Sequence, residues 1–393
     1  MKGQEPGAEA WRLHVQAGPR LRLQLPLDVE APAGTPDGAW RLAGDGGAVA
    51  AQVWNGRLLT VLPHVPAQAE RTYRLEPGES PEAVAVATAG GSVAVRIGGA
   101  DFTVLRLDAA PKPFLHPLLA PGGTSVVRGW PVEPAPGDTR DHPHHRGAWV
   151  AHGDVNGMDA WEERADRLGR IVVDAVECAS GAVCGHVRLA LRWLDPQGGA
   201  VAAERRTYRF WGADGQARLL DQESVYAGLA GEGVRFGDTK EGALCGVRVA
   251  EGMQGAAGGR ISTAEGALGE REAWGSAAGW CDYSGVPVAA RAAGGAQAGE
   301  AVGVAIFDHP HNPLHPTRWH VRDYGLMAAN PFALSHYLPG LGRRGDWEIP
   351  AGGAATFRFR LCVHRGEAAE AEVARRYADW AFAPRCRWVR AEA

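Results

Sequence analysis

The chain has 393 residues, 45% of them apolar and 22% charged, which is the composition of a folded protein rather than a disordered one. Its 41 basic and 45 acidic residues give a net charge of −4, so no basic field is available to hold a nucleic acid. No apolar run reaches the roughly 18 to 20 residues of a membrane helix, and residues 1–9 lack the apolar centre of a signal peptide. We therefore expect a cytoplasmic protein without nucleic acid or membrane partners; its oligomeric state is unknown.

Short strands dominate the predicted secondary structure. Between residues 21 and 29, leucine and valine alternate with polar residues and one proline, which is the period of a half-buried strand. Glycine, proline and aspartate separate later segments with the same period. These segments are residues 93–97, 102–107, 187–194 and 357–363. Only residues 367–382 show helical periodicity.

This pattern predicts an all-β fold with two parts. Residues 1–80 fit a small Ig-like β domain, and a Pro/Gly-containing joint follows at residues 78–81. Residues 81–393 fit a large antiparallel β-sandwich that carries the active site and ends in a helix, because strands are not alternated with helices there. The six cysteines form no Cys-x-x-Cys pair, so we expect reduced thiols.

The distribution of histidine indicates a site. Ten of the 14 histidines fall in two windows, and each window contains the tetrapeptide Asp-His-Pro-His, at residues 141–144 and 308–311. Because proline disfavours the α conformation in the residue before it, we expect both tetrapeptides to be extended and to point their rings into one cleft. The alternative is that each His-Pro pair ends a strand and leaves solvated rings in a loop. The histidines are His116, His142, His144, His145 and His152, then His309, His311, His315, His320 and His336.

The first window mixes aromatic and polar side chains in the way a carbohydrate pocket does. Tryptophan packs on the C–H face of a sugar, and Asp, Asn and Arg bind its hydroxyls. The candidate substrate-binding residues are Arg128, Arg146, His152, Asp154, Asn156, Trp161, His309, His311, His320 and Asn330. The alternative is that Trp149 and Trp161 belong to the core and that residues 154–157 form a tight turn.

Lys240 is one of only three lysines in an arginine-rich chain. It lies in the glycine-bounded loop 236–242, beside Glu241. A lysine kept where arginine is the rule suggests proton transfer or a compact contact with an oxygen atom. We therefore take Lys240 and Glu241 as candidate catalytic residues, with His144 or His145 as acid or base. The alternative is an ion pair in a surface turn.

A divalent metal is the open question about cofactors. Neutral imidazoles bind Zn, Mn, Fe and Ni, and His142, His144, His309 and His311 are the candidate ligands. No His-Glu-x-x-His or similarly specific spacing is present. Motifs for serine hydrolases and P-loop enzymes are absent as well.

Three stretches together resemble a bacterial family known as PmoA-like or methane oxygenase PmoA. They are DHPHHRGAWVAHGDVNGMDAW (141–161), FGDTKEG (236–242) and AIFDHPHNPLHPTRWHVRDYGLMAANPF (305–332). The likeness extends over about residues 90–365. The β-rich pattern is also similar to the galactose mutarotase-like supersandwich, which implies sugar binding on a concave sheet with a histidine and a carboxylate as acid and base. No family catalytic residue aligns with a particular position here.

These observations lead to three hypotheses about function. The first is an enzyme that catalyses epimerisation, elimination or hydrolysis of a sugar or oxidised sugar by His/Lys/Glu acid-base chemistry. The second is a metal-dependent oxygenase or oxidoreductase, as the family label implies. The third is a sugar-binding protein without catalytic activity.

Overall fold

The computed structural model describes residues 11–79, 81–163, 168–212, 215–229, 232–288 and 299–390. Almost all of its regular structure is antiparallel strand, and the predicted all-β sandwich is confirmed. None of the helices in these residues is both long and apolar enough to cross a membrane.

The N-terminal part of the chain forms one seven-stranded sheet, in the order β2-β5-β4-β3-β6-β1-β25. Leucine and valine side chains from these strands form a separate core, which includes Leu13, Leu25 and Leu62. The strands are β1 (Trp11–Gln16), β2 (Arg22–Glu30), β3 (Gly38–Gly44), β4 (Gly47–Trp54), β5 (Arg57–Val65), β6 (Glu70–Pro77) and β25 (Arg385–Arg390).

The last strand of the chain belongs to this first sheet. Every residue of β25 pairs antiparallel with a residue of β1, from Trp11 opposite Arg390 to Gln16 opposite Arg385. The division into parts 1–80 and 81–393 stays a prediction. In the structure, the C-terminal strand crosses back over that division.

The rest of the chain forms two eight-stranded sheets that pack face to face. Sheet I has the order β21-β22-β17-β11-β10-β9-β8-β7. Its strands are β7 (Val84–Ala89), β8 (Ser92–Ile97), β9 (Ala100–Arg106), β10 (Phe114–Leu118), β11 (Ala148–His152), β17 (Gly242–Arg248), β21 (Trp319–Arg322) and β22 (Leu326–Ala329).

Sheet II has the order β12-β13-β14-β15-β24-β20-β19-β18. Its strands are β12 (Arg170–Ala179), β13 (Cys184–Leu194), β14 (Ala200–Trp211), β15 (Ala217–Ala227), β18 (Arg260–Thr263), β19 (Trp280–Gly285), β20 (Val302–Asp308) and β24 (Ala354–Arg365). A further pair is formed by β16 (Val234–Phe236) and β23 (Trp347–Ile349).

One hydrophobic core fills the space between sheets I and II. Alternate residues of each strand enter it, such as Phe357, Phe359 and Leu361 of β24. The residues between them, among them Arg358 and Arg360, therefore lie on the outer face of sheet II. The sandwich thus has two outer faces, and each carries one Asp-His-Pro-His tetrapeptide.

Three short α-helices and two 3₁₀ helices, Gly255–Ala257 and Pro339–Leu341, complete the described chain. The α-helices are α1 (Gly269–Ala273), α2 (Leu334–Tyr337) and α3 (Val373–Ala381). Helix α3 is shorter than the predicted segment 367–382. It lies between the outer face of sheet II and β2, where Tyr377 and Trp380 join a core with Trp211 and Phe307.

Candidate functional site

The outer face of sheet I carries polar and aromatic side chains. In β21, Trp319 and Val321 point into the core, whereas His320 and Arg322 alternate with them and lie on the outer face. Trp149 of β11 points outward in the same way and belongs to a small outer cluster.

Two buried arginines fix the loop that covers this face. Arg128 and Arg248 have fully buried side chains and both donate to the carboxylate of Asp141, with Nη2 of Arg248 2.7 Å from Oδ1. Arg128 also donates to the backbone carbonyls of Thr139 and His142. The sequence predicts substrate binding for Arg128. Because its donors hold the loop, we assign it a positioning role.

Four rings form a continuous stack above the sheet. Tyr324, His142, His145 and Trp149 follow one another at centroid distances of 4.9, 4.9 and 5.0 Å, with their planes within 18° of parallel. The φ of His142 is 44°, in the left-handed region, so residues 141–144 form a turn rather than the extended segment that the sequence predicts. This turn places the ring of His142 over that of His145.

Further rings close the sides of His145. His144 meets it edge-on at 4.4 Å, and Trp161 does so at 5.2 Å. Trp161 also stacks on His320 at 6.1 Å, and Trp274 meets the edge of His320 at 4.8 Å. Rings from distant parts of the chain therefore form one cluster on the outer face of sheet I.

Several buried nitrogen atoms of this cluster have no hydrogen-bond partner in the described part of the chain. They are both ring nitrogens of His145, Nδ1 of His320, Nε1 of Trp149, and Nε and Nη1 of Arg248. His145 and His320 are only 1% and 2% exposed. Since about 90% or more of buried polar groups in proteins are paired, this concentration of unpaired nitrogen atoms distinguishes the cluster from an ordinary core.

Burial keeps the imidazoles of His144, His145 and His320 neutral. It lowers the pKa of His144 to about 3, and the nearby Lys112 ammonium adds to the effect. Burial also lowers the pKa of His320 to about 3 and brings the pKa of His145 well below its ordinary value. A neutral imidazole has one N–H donor and one acceptor nitrogen, so each ring can either donate a hydrogen bond to a hydroxyl group or accept one from it.

The Lys240 and Glu241 side chains form an ion pair beside the cluster, where they are 40% and 25% exposed. The backbone of Lys240 lies close to the ring of His320, where it opposes the effect of burial on the pKa of that ring. The charge of Glu241 contributes, after burial, to raising the pKa of Tyr324 to about 12. The loop 236–242 therefore reaches the same face as residues 141–145.

Two residues position this loop. Nδ2 of Asn330 donates to the carbonyls of Thr239 and Lys240 at 3.0 and 3.2 Å. A Cβ on Gly242 would lie 2.3 Å from Nδ1 of His152, so glycine is required for the loop to approach β11 this closely. Asn330, which the sequence predicts to bind substrate, is buried, and we assign it this positioning role.

A buried lysine supports Trp161 from the other side. Nζ of Lys112 donates to the Trp161 carbonyl at 3.2 Å and to the Glu163 carboxylate at 2.6 Å. The same Glu163 oxygen accepts from Arg146 at 2.6 Å. Arg146, a candidate substrate-binding residue, is therefore already paired within the chain. Burial, opposed by Glu163, lowers the pKa of Lys112 to about 8.

Three candidate residues have structural roles. His152 is buried, and its Nε2 lies 2.8 Å from a backbone carbonyl. Asp154 accepts from the backbone nitrogen of Gly157 at 2.9 Å, and Nδ2 of Asn156 donates to the Gly233 carbonyl at 3.0 Å. The tight turn that the sequence offers as an alternative for residues 154–157 is therefore present.

The second tetrapeptide lies on the other side of the sandwich. It follows β20 at the outer face of sheet II, where His309 meets the ring of Trp380 in α3 at 4.7 Å. His309 and His311 both line a pocket with Arg358. The structure therefore does not bring residues 308–311 together with residues 141–145.

This separation divides the candidate metal ligands. The rings of His142 and His144 are 5.8 Å apart, and those of His309 and His311 are 5.0 Å apart on the opposite face. Among the described residues, no group of three or more His, Cys, Asp or Glu side chains is arranged to hold a metal. A divalent metal stays a prediction from the sequence alone.

Sequence reasoning missed several members of the cluster. Tyr324 lies four residues after His320, and Lys112 is one of the three lysines, so both had a signal in the sequence. Arg248 and Trp274 had none, because neither stands in a polar motif. Contacts across the sheet place them here: the guanidinium of Arg248 lies 4.6 Å from the ring centre of Tyr324.

Comparison with solved structures gave distant likenesses. A glycosyl hydrolase family 38 protein from Enterococcus faecalis shares 9% identity at a TM-score of 0.42, over 98% of this chain and 48% of that one. An alpha-mannosidase from Enterococcus faecalis V583 shares 10% at 0.40, over 98% and 46%. An alpha-galactosidase from Lactobacillus brevis shares 8% at 0.27, over 88% and 40%. The chain spans about half the length of the first two or less, and likenesses this distant assign no activity.

Comparison with curated proteins gave no match. Comparison with protein families matched one described as a family of unknown function, over residues 92–378, and found no PmoA-like family. The PmoA-like resemblance inferred from the sequence is therefore wrong. Since the match covers well over half of the chain, the chain belongs to the family of unknown function DUF6807.

Proposed function

We propose that the chain is an enzyme that acts on a carbohydrate at the outer face of sheet I. The observation that carries this proposal is the group of buried, unpaired nitrogens of His145 and His320, which lies next to a partly exposed ammonium–carboxylate pair. Sugar hydroxyls supply both donors and acceptors, which is what neutral imidazoles require as partners.

The ring cluster supports the same class of ligand. Tyr324, Trp274 and the ring of His142 are half-buried, so they lie where the cluster meets solvent. Aromatic side chains combine a large apolar surface with a polar atom, and so they suit a ligand whose C–H faces alternate with hydroxyls. Lys112 and Arg128 hold the covering segments in place from behind.

The Lys240–Glu241 pair and His144 are the proposed proton-transfer groups. The carboxylate of Glu241 would accept a proton from a hydroxyl or from a carbon beside a carbonyl, and the ammonium of Lys240 would stabilise the developing negative oxygen. His144 is neutral at pH 7 because its pKa is lowered to about 3. A ring with so low a pKa is a weak base, so it would take a proton only while the negative charge that develops in the reaction stabilises the imidazolium. Whether the reaction is epimerisation, elimination or hydrolysis is the finer question that the experiment must answer.

The proposal is tested by incubating the protein in D₂O with a panel of neutral sugars, uronic acids and glycosides and following each by proton NMR. Epimerisation or elimination exchanges or removes a C–H proton, whereas hydrolysis produces new anomeric signals. We expect turnover of at least one class. The His145→Asn variant should then lose about 100-fold or more of the rate, as expected for a group that takes part in proton transfer or holds one that does.

His186→Asn is the matched control. His186 is also fully buried, and its Nδ1 also has no partner among the described residues, but it stacks on Trp54 at 3.9 Å, away from sheet I. It should keep the wild-type rate. Saturable binding without any product would contradict the proposal and indicate a sugar-binding protein. Full activity of His145→Asn would show that this site does not take part in the reaction.

A further inference from the structure

A pocket of about 650 Å³ lies on the outer face of sheet II, on the opposite side of the sandwich from the proposed active site. Three parts of the chain form its walls. The N-terminal sheet contributes Asp28 and Arg57, sheet II contributes Arg358, and α3 contributes Trp380; His309 follows β20. The second Asp-His-Pro-His tetrapeptide, which the proposed function does not use, therefore lines a cavity of its own.

Positive charge is in excess in this pocket once a carboxylate that is bound from outside is set aside. Four guanidinium groups line it, together with four carboxylates. One carboxylate, that of Asp379, is already bound from outside the pocket by Arg22 at 2.9 Å and by Arg375 at 2.8 Å. The remaining three carboxylates face the four guanidinium groups, which are those of Arg57, Arg209, Arg358 and Arg360.

Hydrogen bonding shows the same excess of donors. Both oxygens of Asp221 accept from Arg360, and one of them also accepts from Trp211 at 2.8 Å. Arg358 uses only its Nε, which donates to Glu223 at 2.8 Å. In the described part of the chain, its two terminal nitrogens therefore have no hydrogen-bond partner.

His309 adds one more donor. Its Nδ1 accepts from the backbone nitrogen of His311 at 3.1 Å. Burial lowers the pKa of His309 to about 4, so the ring is neutral at pH 7. A neutral ring whose Nδ1 accepts must carry its hydrogen on Nε2, and this N–H has no partner among the described residues.

We propose that this pocket binds a small anionic ligand through a carboxylate or phosphate group. Arginine side chains bind such groups with two parallel hydrogen bonds, and the free terminal nitrogens of Arg358 supply that geometry. The half-buried ring of Trp380 and the apolar side chains of Leu27 and Pro384 provide a wall for the rest of the ligand. Because the N-terminal sheet, sheet II and α3 all contribute walls, the bound ligand holds the N-terminal sheet against the sandwich.

The test measures thermal unfolding and binding heat of the full chain with three probes at constant ionic strength: inorganic phosphate, D-gluconate and uncharged D-glucose. We expect phosphate or gluconate to raise the unfolding temperature with increasing concentration, and glucose not to do so. Phosphate alone would identify a phosphate ligand, and gluconate alone a carboxylate. If neither anion binds, the proposal is overturned.

Matched variants locate the anion. Arg358→Gln and, independently, His309→Asn should weaken anion binding by about tenfold or more, since each removes a donor to a charged group. Arg192→Gln is the control, because Arg192 is a comparably exposed arginine on sheet II that pairs with Asp174. An equal loss with Arg192→Gln would show unspecific attraction. A loss with Lys240→Gln but not with Arg358→Gln would place the anion on sheet I, and either result contradicts the proposal.

Discussion

The same tetrapeptide stands on both outer faces of the sandwich and is used differently on each. At residues 141–144, the aspartate accepts from two buried arginines, and the histidine rings join a stack. At residues 308–311, the partners of Asp308 lie in the loop that follows: Nδ2 of Asn312 at 2.7 Å, the backbone nitrogen of Thr317 at 2.8 Å and Nδ1 of His315 at 2.6 Å. The first aspartate therefore binds distant parts of the chain, and the second closes a local turn.

This difference shows that the surroundings, and not the tetrapeptide, decide its use. Arg248 comes from β17, about a hundred residues after Asp141, and no pattern near the tetrapeptide announces it. Such partners place buried imidazoles on sheet I without hydrogen-bond partners, whereas on sheet II the ring of His309 binds its own loop. The same substitution made on each of the two faces should therefore have different effects.

The largest expected effect is on catalysis. Glu241→Gln keeps the shape of the side chain but removes its ability to accept a proton, so we expect turnover of a responsive sugar to fall by about 100-fold or more. Initial rates at saturating substrate measure this loss. Glu76→Gln is the control, since Glu76 has a similar exposure of 23% and also forms ion pairs, with Arg41 and Arg74 in the N-terminal sheet.

Glu76→Gln should keep the wild-type rate and the wild-type KM. A fall in both variants would indicate a general loss of folded protein, which the unfolding curve would reveal. Unchanged turnover in Glu241→Gln would exclude the carboxylate from proton transfer and leave the outer face of sheet I with a binding role only.

The next largest effect is on stability. Asp141→Asn removes the charge that pairs with two fully buried guanidinium groups, so we expect a loss of about 3 kcal/mol in the free energy of unfolding. Asp308→Asn affects the bonds from Asn312 and Thr317 and the contact with the ring of His315, none of which is a buried guanidinium, and it should cost about 1 to 2 kcal/mol. Urea denaturation at pH 7 measures both. Equal losses would mean that the two tetrapeptides are held in the same way.

Much of the fold follows from local sequence patterns. The period of two in residues 187–194 and 357–363 predicts strands, and both segments are strands of sheet II, β13 and β24. The pairing of β25 with β1 has no such local signal, because it joins residues more than 350 positions apart through backbone hydrogen bonds. Strand order between distant segments depends on the packing of the whole sandwich.

The candidate site is predictable only in part for the same reason. His144, His145, His320 and Lys240 were identifiable as chemically unusual residues, and they meet on sheet I. Assigning His309 to the same place failed, because a strand's position in sheet I or sheet II cannot be read from its alternation. Residues such as Arg128, which hold the loop from behind, look like ligands in the sequence because burial is not visible there.

The smallest effect is a pH dependence of stability that differs between the faces. Burial, with Arg322 adding to it, lowers the pKa of His320 from 6.5 to about 3 in the folded state. Above pH 6.5 the ring is neutral in both states and contributes no pH dependence. Below pH 6.5, the unfolded chain takes up a proton that the folded chain excludes. This histidine alone should therefore lower the free energy of unfolding by about 2 kcal/mol at pH 5.

Urea denaturation between pH 7 and pH 5 tests this expectation. The loss of unfolding free energy over that range should be smaller in His320→Asn than in the wild type, because one proton uptake by the unfolded chain has been removed. His309→Asn should flatten the curve less, since His309 is partly exposed in its pocket and water screens its charge. An equal effect of the two substitutions would show that the rings are equally accessible to protons, and the buried, unpaired imidazole on which the proposed active site depends would then be absent.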